Sequence, residues 1–265
     1  MSKKLIVFGG NGFLGKRICQ EGIKAGFKVV SLSSSGKSPT KILPSDDEWV
    51  KKVQWKKADV FKPESYKDIL KDANAVVHSV GILLENAEYK KAINSNNDLL
   101  GEIMSFFQTS NPMTKNVSNS YDAVNRESAV LLAQTLIESK GKLPKSISKA
   151  PAFVYISADQ QPPFIPSGYL ESKRKAEFEL YQLQPGIRPV LMRPSFMFDE
   201  HISGDVRSKL KDLIKLGDQF NQKILNNALK DIIRPTVSTN QVAKSVIEKI
   251  NDPEYHGPVL LEEIV

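Results

Sequence analysis

One stretch near the start constrains the fold more than any other. Leu5-Ile6-Val7-Phe8 is an apolar run long enough for one buried strand, and Gly9-Gly10-Asn11-Gly12-Phe13-Leu14-Gly15 follows it directly, ahead of an amphipathic segment. Strand, glycine turn and helix in that order is the setting in which spaced glycines carry meaning. Gly9 and Gly12 let the backbone turn sharply and approach a pyrophosphate, and Gly15 lets the helix lie close to the strand. Asn11, Phe13 and Leu14 complete the loop around such a ligand. The helix would present its N–H groups and positive dipole end to the phosphates. The plainer reading is a tight turn without a ligand.

The rest of the first half repeats the rhythm. Phe13, Leu14, Ile18, Cys19 and Ile23 recur at helical spacing, with Gly26 as a cap, and Val29–Leu32 is a second strand. Where NAD-binding versions of this pattern carry an acid for the ribose, the chain has Ser33-Ser34-Ser35-Gly36-Lys37. Ser33, Ser34 and Lys37 would instead accommodate a 2′-phosphate, which favours NADP(H) over NAD(H); a solvated loop that touches no nucleotide is the other reading. A short helix in 38–52, a third strand over Val53–Val60 ending in Asp59-Val60, a helix opened by Pro63, and a fourth strand Ala75–His78 running into Ser79-Val80-Gly81 come next. His78 sits in an apolar run and reads as a satisfied core histidine. Strands alternating with helices predict a Rossmann-type doubly wound parallel sheet of α/β class.

Residues 85–120 interrupt the alternation with Asn, Ser and Lys and one apolar patch at Ile103–Phe107, an insertion or mobile loop. A helix over Tyr121–Ser139 and a fifth strand Phe153–Ser157 resume it. Tyr169 and Lys173 then stand four apart on the next helix and share a face. A phenol of pKa near ~10 is a poor acid or base at neutral pH. A neighbouring ammonium favours its phenolate and brings it into working range.

At this point the chain resembles the short-chain dehydrogenase/reductase (SDR) superfamily in its extended, atypical branch, nearly end to end. The residues that carry the likeness are Gly9, Gly12 and Gly15, Asp59-Val60, Ser79-Val80-Gly81, Asn125, Tyr169 with Lys173, Arg193-Pro194-Ser195 and the tail Arg234–Ala243. The resemblance implies Tyr169 as acid/base, Lys173 as its activator and a ribose ligand, and Ser157 as third catalytic member. It also implies Asp59 and Val60 at the adenine, and Ser79, Val80, Gly81, Pro194 and Ser195 along the cofactor. Many extended members carry the hydroxyl one position after Ser157, where this chain has Ala158; Pro162, Pro163 and Pro166 stiffen the short loop to Tyr169.

The opening Lys4–Arg17, His78–Asn86, Tyr155–Asp159 and Phe196–His201 more closely resemble a fungal mitochondrial SDR-like group of coenzyme Q (ubiquinone) biosynthesis. That group is similar to the nucleotide-binding accessory subunit of respiratory complex I. This likeness implies a mitochondrial location on the matrix side of the inner membrane, partner proteins of the coenzyme Q biosynthetic complex, and a small-molecule substrate of the prenylated quinone-precursor type. Oxidoreductase chemistry is the first expectation; a non-catalytic cofactor-binding subunit that stabilises the complex is the second.

Composition sets bounds. The 265 residues suit one NAD(P)-binding domain over 1–195 and a small, mainly helical substrate-side region over 196–265, with 234–250 packing back on the core. Net charge is +7, but Lys and Arg are dispersed and no nucleic-acid module appears, so no nucleic-acid partner is expected. Cys19 is the single cysteine, which leaves no intramolecular disulfide and no zinc cluster, and no metal is expected. No apolar run reaches membrane-spanning length. A first strand at residue 5 leaves no room for a leader ahead of it, so the chain is cytosolic, or lacks its presequence, or uses an internal signal. Val206–Ile233 alternates apolar residues with Lys and Arg, fitting either a helical cap over the substrate or a peripheral contact with anionic lipid.

Overall fold

The computed structural model describes residues 2–41, 43–82, 120–161, 165–202, 211–212 and 234–264. The expected insertion 85–120, save its last residue, and nearly all of the basic amphipathic stretch lie outside the described residues. Strand β1 (Lys4–Phe8) leads through the glycine turn into α1 (Gly15–Lys24), and β2 (Lys28–Ser33) follows. A short α2 (Asp46–Val50), β3 (Gln54–Lys57), α3 (Lys67–Leu70) and β4 (Ala75–His78) come next. A π-helical stretch (Asp122–Glu127) runs into α4 (Ser128–Lys140), ahead of β5 (Ala152–Ile156), α5 (Gly168–Gln182) and β6 (Arg188–Met192). Two short strands, β7 (Met197–Phe198) and β8 (Val237–Ser238), pair with each other, and α6 (Thr239–Asn251) and β9 (Gly257–Val259) close the fold.

The main sheet has seven parallel strands in the order β3-β2-β1-β4-β5-β6-β9. The expected doubly wound parallel sheet is thus observed. Strand order reverses between β1 and β4, and in open α/β sheets ligands bind outside the carboxyl ends of the strands at such a point. The glycine turn and Ser79–Gly81 leave the sheet there. Both faces are covered, so the strands read as unbroken apolar runs. Alternate residues divide between the layers: Leu5 and Val7 pack toward α1 and α6, Ile6 and Phe8 toward α3, α4 and α5.

Several elements differ from the sequence reading in detail. The third strand is shorter than Val53–Val60: it spans Gln54–Lys57 on the sheet edge, three of its four residues are exposed, and Val53 and Ala58 are buried on either side of it. Helix α1 ends at Lys24 with Ala25 as its C-cap, and Gly26, at φ +81°, takes the left-handed position just beyond. Ser157 falls one residue past β5. The segment around Val259 joins the main sheet: β9 pairs with β6 and becomes its far edge. Ser238 caps α6 in a reciprocal box with Gln241, a Ser-x-x-Gln spacing visible in the sequence.

Candidate functional site

The glycine turn is built by close backbone contacts. A Cβ on Gly15 would stand 2.1 Å from the Gly9 carbonyl oxygen, and one on Gly12 would stand 3.0 Å from the same atom. Gly9 itself has φ +80°, and a Cβ there would meet the Ser79 carbonyl oxygen at 2.8 Å. Gly10 is as constrained: its Cβ would collide with Ser31 and with Cys19. Cys19 is fully buried, which pushes its thiol well above the usual range and makes it a packing residue. Helix α1 starts without a side-chain cap and without an acid in its first turn. An uncapped positive helix end behind a glycine loop fits a dinucleotide pyrophosphate.

Around that turn, Asn11 Nδ2 donates to Ser35 Oγ at 3.0 Å and ties the glycine loop to the end of β2. Gly36 N–H bonds Ser33 Oγ at 3.1 Å, and Ser34 and Lys37 are exposed beside it. Asp59 Oδ1 accepts from the Phe61 N–H at 3.1 Å, with Val60 half-buried next to it. Phe13 is half-buried on the loop and Leu14 is buried beneath it.

Beneath α1 lies a buried ionic cluster that sequence reasoning missed. Arg17, fully buried, bonds both Asp199 carboxylate oxygens at 3.2 Å and Gln20 at 2.9 Å, and its guanidinium is 3.6 Å from Asp46. Lys16 adds a contact to Asp199 at 3.2 Å. The cluster fastens the first turn of α1 to the chain beyond β7. Its residues are 182 positions apart, and no periodicity signals such a pair.

At the other end of the site, Tyr169 and Lys173 project from the first turns of α5. Lys173 Nζ donates to the Ile156 carbonyl at 2.7 Å and lies 6.0 Å from the Tyr169 ring centroid and 4.9 Å from that of Tyr155. Burial brings its ammonium down to about 7, with Glu177 opposing that shift. Tyr169 packs edge-on against Tyr121. Asn125, on the π-helical stretch, is held by Ile82: its Oδ1 accepts the Ile82 N–H at 3.1 Å. A Cβ on Gly81 would stand 3.3 Å from both Asn125 Oδ1 and Lys173 Nζ. The Ser79–Gly81 loop thus touches Gly9 at one end and Lys173 at the other, while Val80 packs against the core behind it.

The third catalytic candidate is placed differently from a simple Ser–Tyr pair. Ser157 Oγ accepts from Arg174 Nη1 at 3.2 Å, and Ala158 is buried. Pro194 accepts the Asp159 N–H at 2.9 Å, and Ser195 Oγ donates to the Pro235 carbonyl, so both hold the turn after β6 against the tail. His78 is buried as expected, and among the described residues it is only half satisfied: Nε2 meets Ser128 Oγ at 2.8 Å, and Nδ1 has no partner there. Burial, with Lys173 adding to it, lowers His78 to about 3, so the ring stays neutral.

The chain is similar to known proteins along its whole length. It is 46% identical to MIOREX complex component 2 of Saccharomyces cerevisiae over 275 aligned positions, covering 100% of this chain and 99% of that protein. Among solved structures, ElxO with NADP bound superposes with a TM-score of 0.58 at 16% identity, covering 98% of this chain and 96% of that one. The Bordetella bronchiseptica enzyme WbmH in complex with NAD+ gives 0.56 at 13% identity, covering 98% and 75%. The model of an NAD-binding family, described as Male sterility protein, matches residues 7–231. With its seven-stranded parallel sheet and its match to that model, the chain belongs to the extended short-chain dehydrogenase/reductase family.

Proposed function

We propose that the chain binds NADP(H) and acts as an oxidoreductase in which Tyr169 exchanges a proton with a substrate carbonyl or hydroxyl and Lys173 lowers the pKa of that phenol. The observation that carries this reading is the Ser79–Gly81 loop, which abuts the glycine turn at Gly9 and approaches Lys173 at Gly81. Two motifs some 160 residues apart in the sequence therefore border one loop at the switch point of the sheet. The cofactor would supply the hydride. Gly9, Gly12 and Gly15 with the start of α1 hold its pyrophosphate; Lys173 keeps a positive charge near the phenol. Ser33, Ser34 and Lys37, with no acid among them, favour a 2′-phosphate, while Asp59 and Val60 flank the adenine.

The same proposal places the protein in mitochondrial coenzyme Q biosynthesis, on the matrix side of the inner membrane, with a prenylated quinone precursor as substrate. It rests on the sequence resemblance. The full-length similarity to a protein named as a complex component supports work within an assembly. A non-catalytic cofactor-binding subunit is the second reading, favoured by the buried Ala158 at the position where many extended members carry the hydroxyl. Quinone synthesis in cells that depend on this chain separates the two. The first reading expects Tyr169→Phe and Gly12→Trp both to abolish it; survival of Tyr169→Phe alone would leave the scaffold. Flotation with cardiolipin liposomes at low salt checks the membrane contact, which absence of binding removes.

A further inference from the structure

We propose that Arg174 is a positioning residue that holds the Ser157 hydroxyl and turns its proton toward the substrate oxygen. This builds on the reading of Tyr169 and Lys173 as the reacting pair. Two successive residues of α5 address two successive residues at the end of β5: Lys173 Nζ bonds the Ile156 carbonyl at 2.7 Å, and Arg174 Nη1 bonds Ser157 Oγ at 3.2 Å. Although Ser157 lies past β5, its N–H still bonds the Met192 carbonyl at 2.8 Å, so the strand geometry continues through it. By alternation its side chain then shares a face with Tyr155, whose ring lies 4.9 Å from Lys173 Nζ and whose hydroxyl bonds the Asn125 carbonyl. Ser157 therefore faces the α4 and α5 side, where Lys173 lies.

A serine hydroxyl has one proton and two lone pairs, and a guanidinium only donates. The bond from Arg174 occupies a lone pair and leaves the proton free to be given to another oxygen. A cation on that lone pair also makes the O–H a stronger donor. Arg174 is itself fixed, by Glu177 Oε1 at 2.7 Å through Nη1 and by the Asp159 carbonyl at 2.7 Å through Nη2. Glu177 is in turn held by Arg193, at 3.0 Å and 2.5 Å. The hydroxyl's position one residue earlier than in many extended members is thus matched by an arginine that fixes it there. Tyr169 exchanges the proton with substrate; Ser157 only donates a hydrogen bond, and no bond is made or broken at Arg174.

The test uses the full chain and a thiol as reporter. In Ser157→Cys, thiolate absorbance at 240 nm is followed against pH, with and without Arg174→Met; buried Cys19 stays protonated in this range. The expected result is a thiol that titrates about one pH unit or more lower when Arg174 is present. Identical titrations overturn the proposal. NADPH-dependent reduction of 9,10-phenanthrenequinone supplies the second readout. Arg174→Met should lower kcat about 10- to 100-fold with NADPH affinity unchanged, and Arg174→Lys should recover part of it. In a Ser157→Ala background Arg174→Met should cost nothing more; an equal further loss there means that Arg174 does not act through Ser157 and overturns the proposal. If the wild-type chain binds NADPH but reduces no quinone while the thiol shift is present, the pairing is real and the reductase reading is what fails, taking the catalytic role of Arg174 with it.

Discussion

Lys173 is a buried cation whose hydrogen bond goes to a backbone carbonyl, and this has a measurable cost. Its pKa falls from the ordinary 10.5 to about 7, chiefly through desolvation. Between those values the unfolded chain binds a proton that the folded chain does not, so stability contributed by this group rises with pH across that window and is flat below it. Urea unfolding at pH 7 and pH 9 should show the wild type gaining on Lys173→Met by on the order of 1–3 kcal/mol as pH rises. A constant gap would mean that the ammonium is better solvated than its geometry indicates. On the proposed chemistry the same group would set an activity limb. Reductive turnover should fall as pH rises through about 7, where Lys173 loses its proton, and Lys173→Arg should move that limb upward because arginine stays charged. Tyr169→Phe should keep the fold, since the ring still packs on Tyr121, yet lower kcat by about 100-fold or more.

Helix α1 joins the cofactor turn to the remainder of the chain through two devices. One is steric: Gly15→Val puts side-chain carbon into the Gly9 carbonyl, 2.1 Å from where a Cβ would start. Because the obstacle is backbone, the turn must open. Loss of dinucleotide binding, together with a thermal midpoint several degrees lower, is the expected outcome by titration calorimetry and thermal melting. The other device is the Arg17–Asp199 pair, whose side chains are both fully buried. Removing Asp199 leaves the buried Arg17 with only Gln20 and the more distant Asp46, so Asp199→Ala should cost on the order of 3–5 kcal/mol. Pairing it with Arg17→Met should restore part of that, as denaturant titration of the single and double variants would show. A double variant that loses the full sum would mean that the pair is not coupled.

Across the whole molecule, what was legible in the sequence is what short-range pattern encodes. Leu5–Phe8 and Ala75–His78 could be read as strands because a sheet covered on both faces needs unbroken apolar runs. The glycine turn could be read because its steric demand leaves no substitute at Gly9 or Gly15. Tyr169 and Lys173 could be paired because helical spacing puts them on one face. Interactions that depend on tertiary meeting points were not legible. Arg17 and Asp199 look like surface charges until the fold buries them, Val259 carries no sign of which strand it will join, and Arg174 sits among other charged residues with nothing to mark its reach to Ser157. As proposed, these distant pieces assemble one NADP(H) site. Its most direct measurement is calorimetric titration of the wild-type chain with NADPH and, separately, NADH. One NADPH should bind per chain, with NADH at least about 10-fold weaker, as expected where a 2′-phosphate gains charge-assisted contacts. Tighter binding of NADH would contradict the cofactor assignment, and no binding of either at millimolar concentration would contradict the site itself.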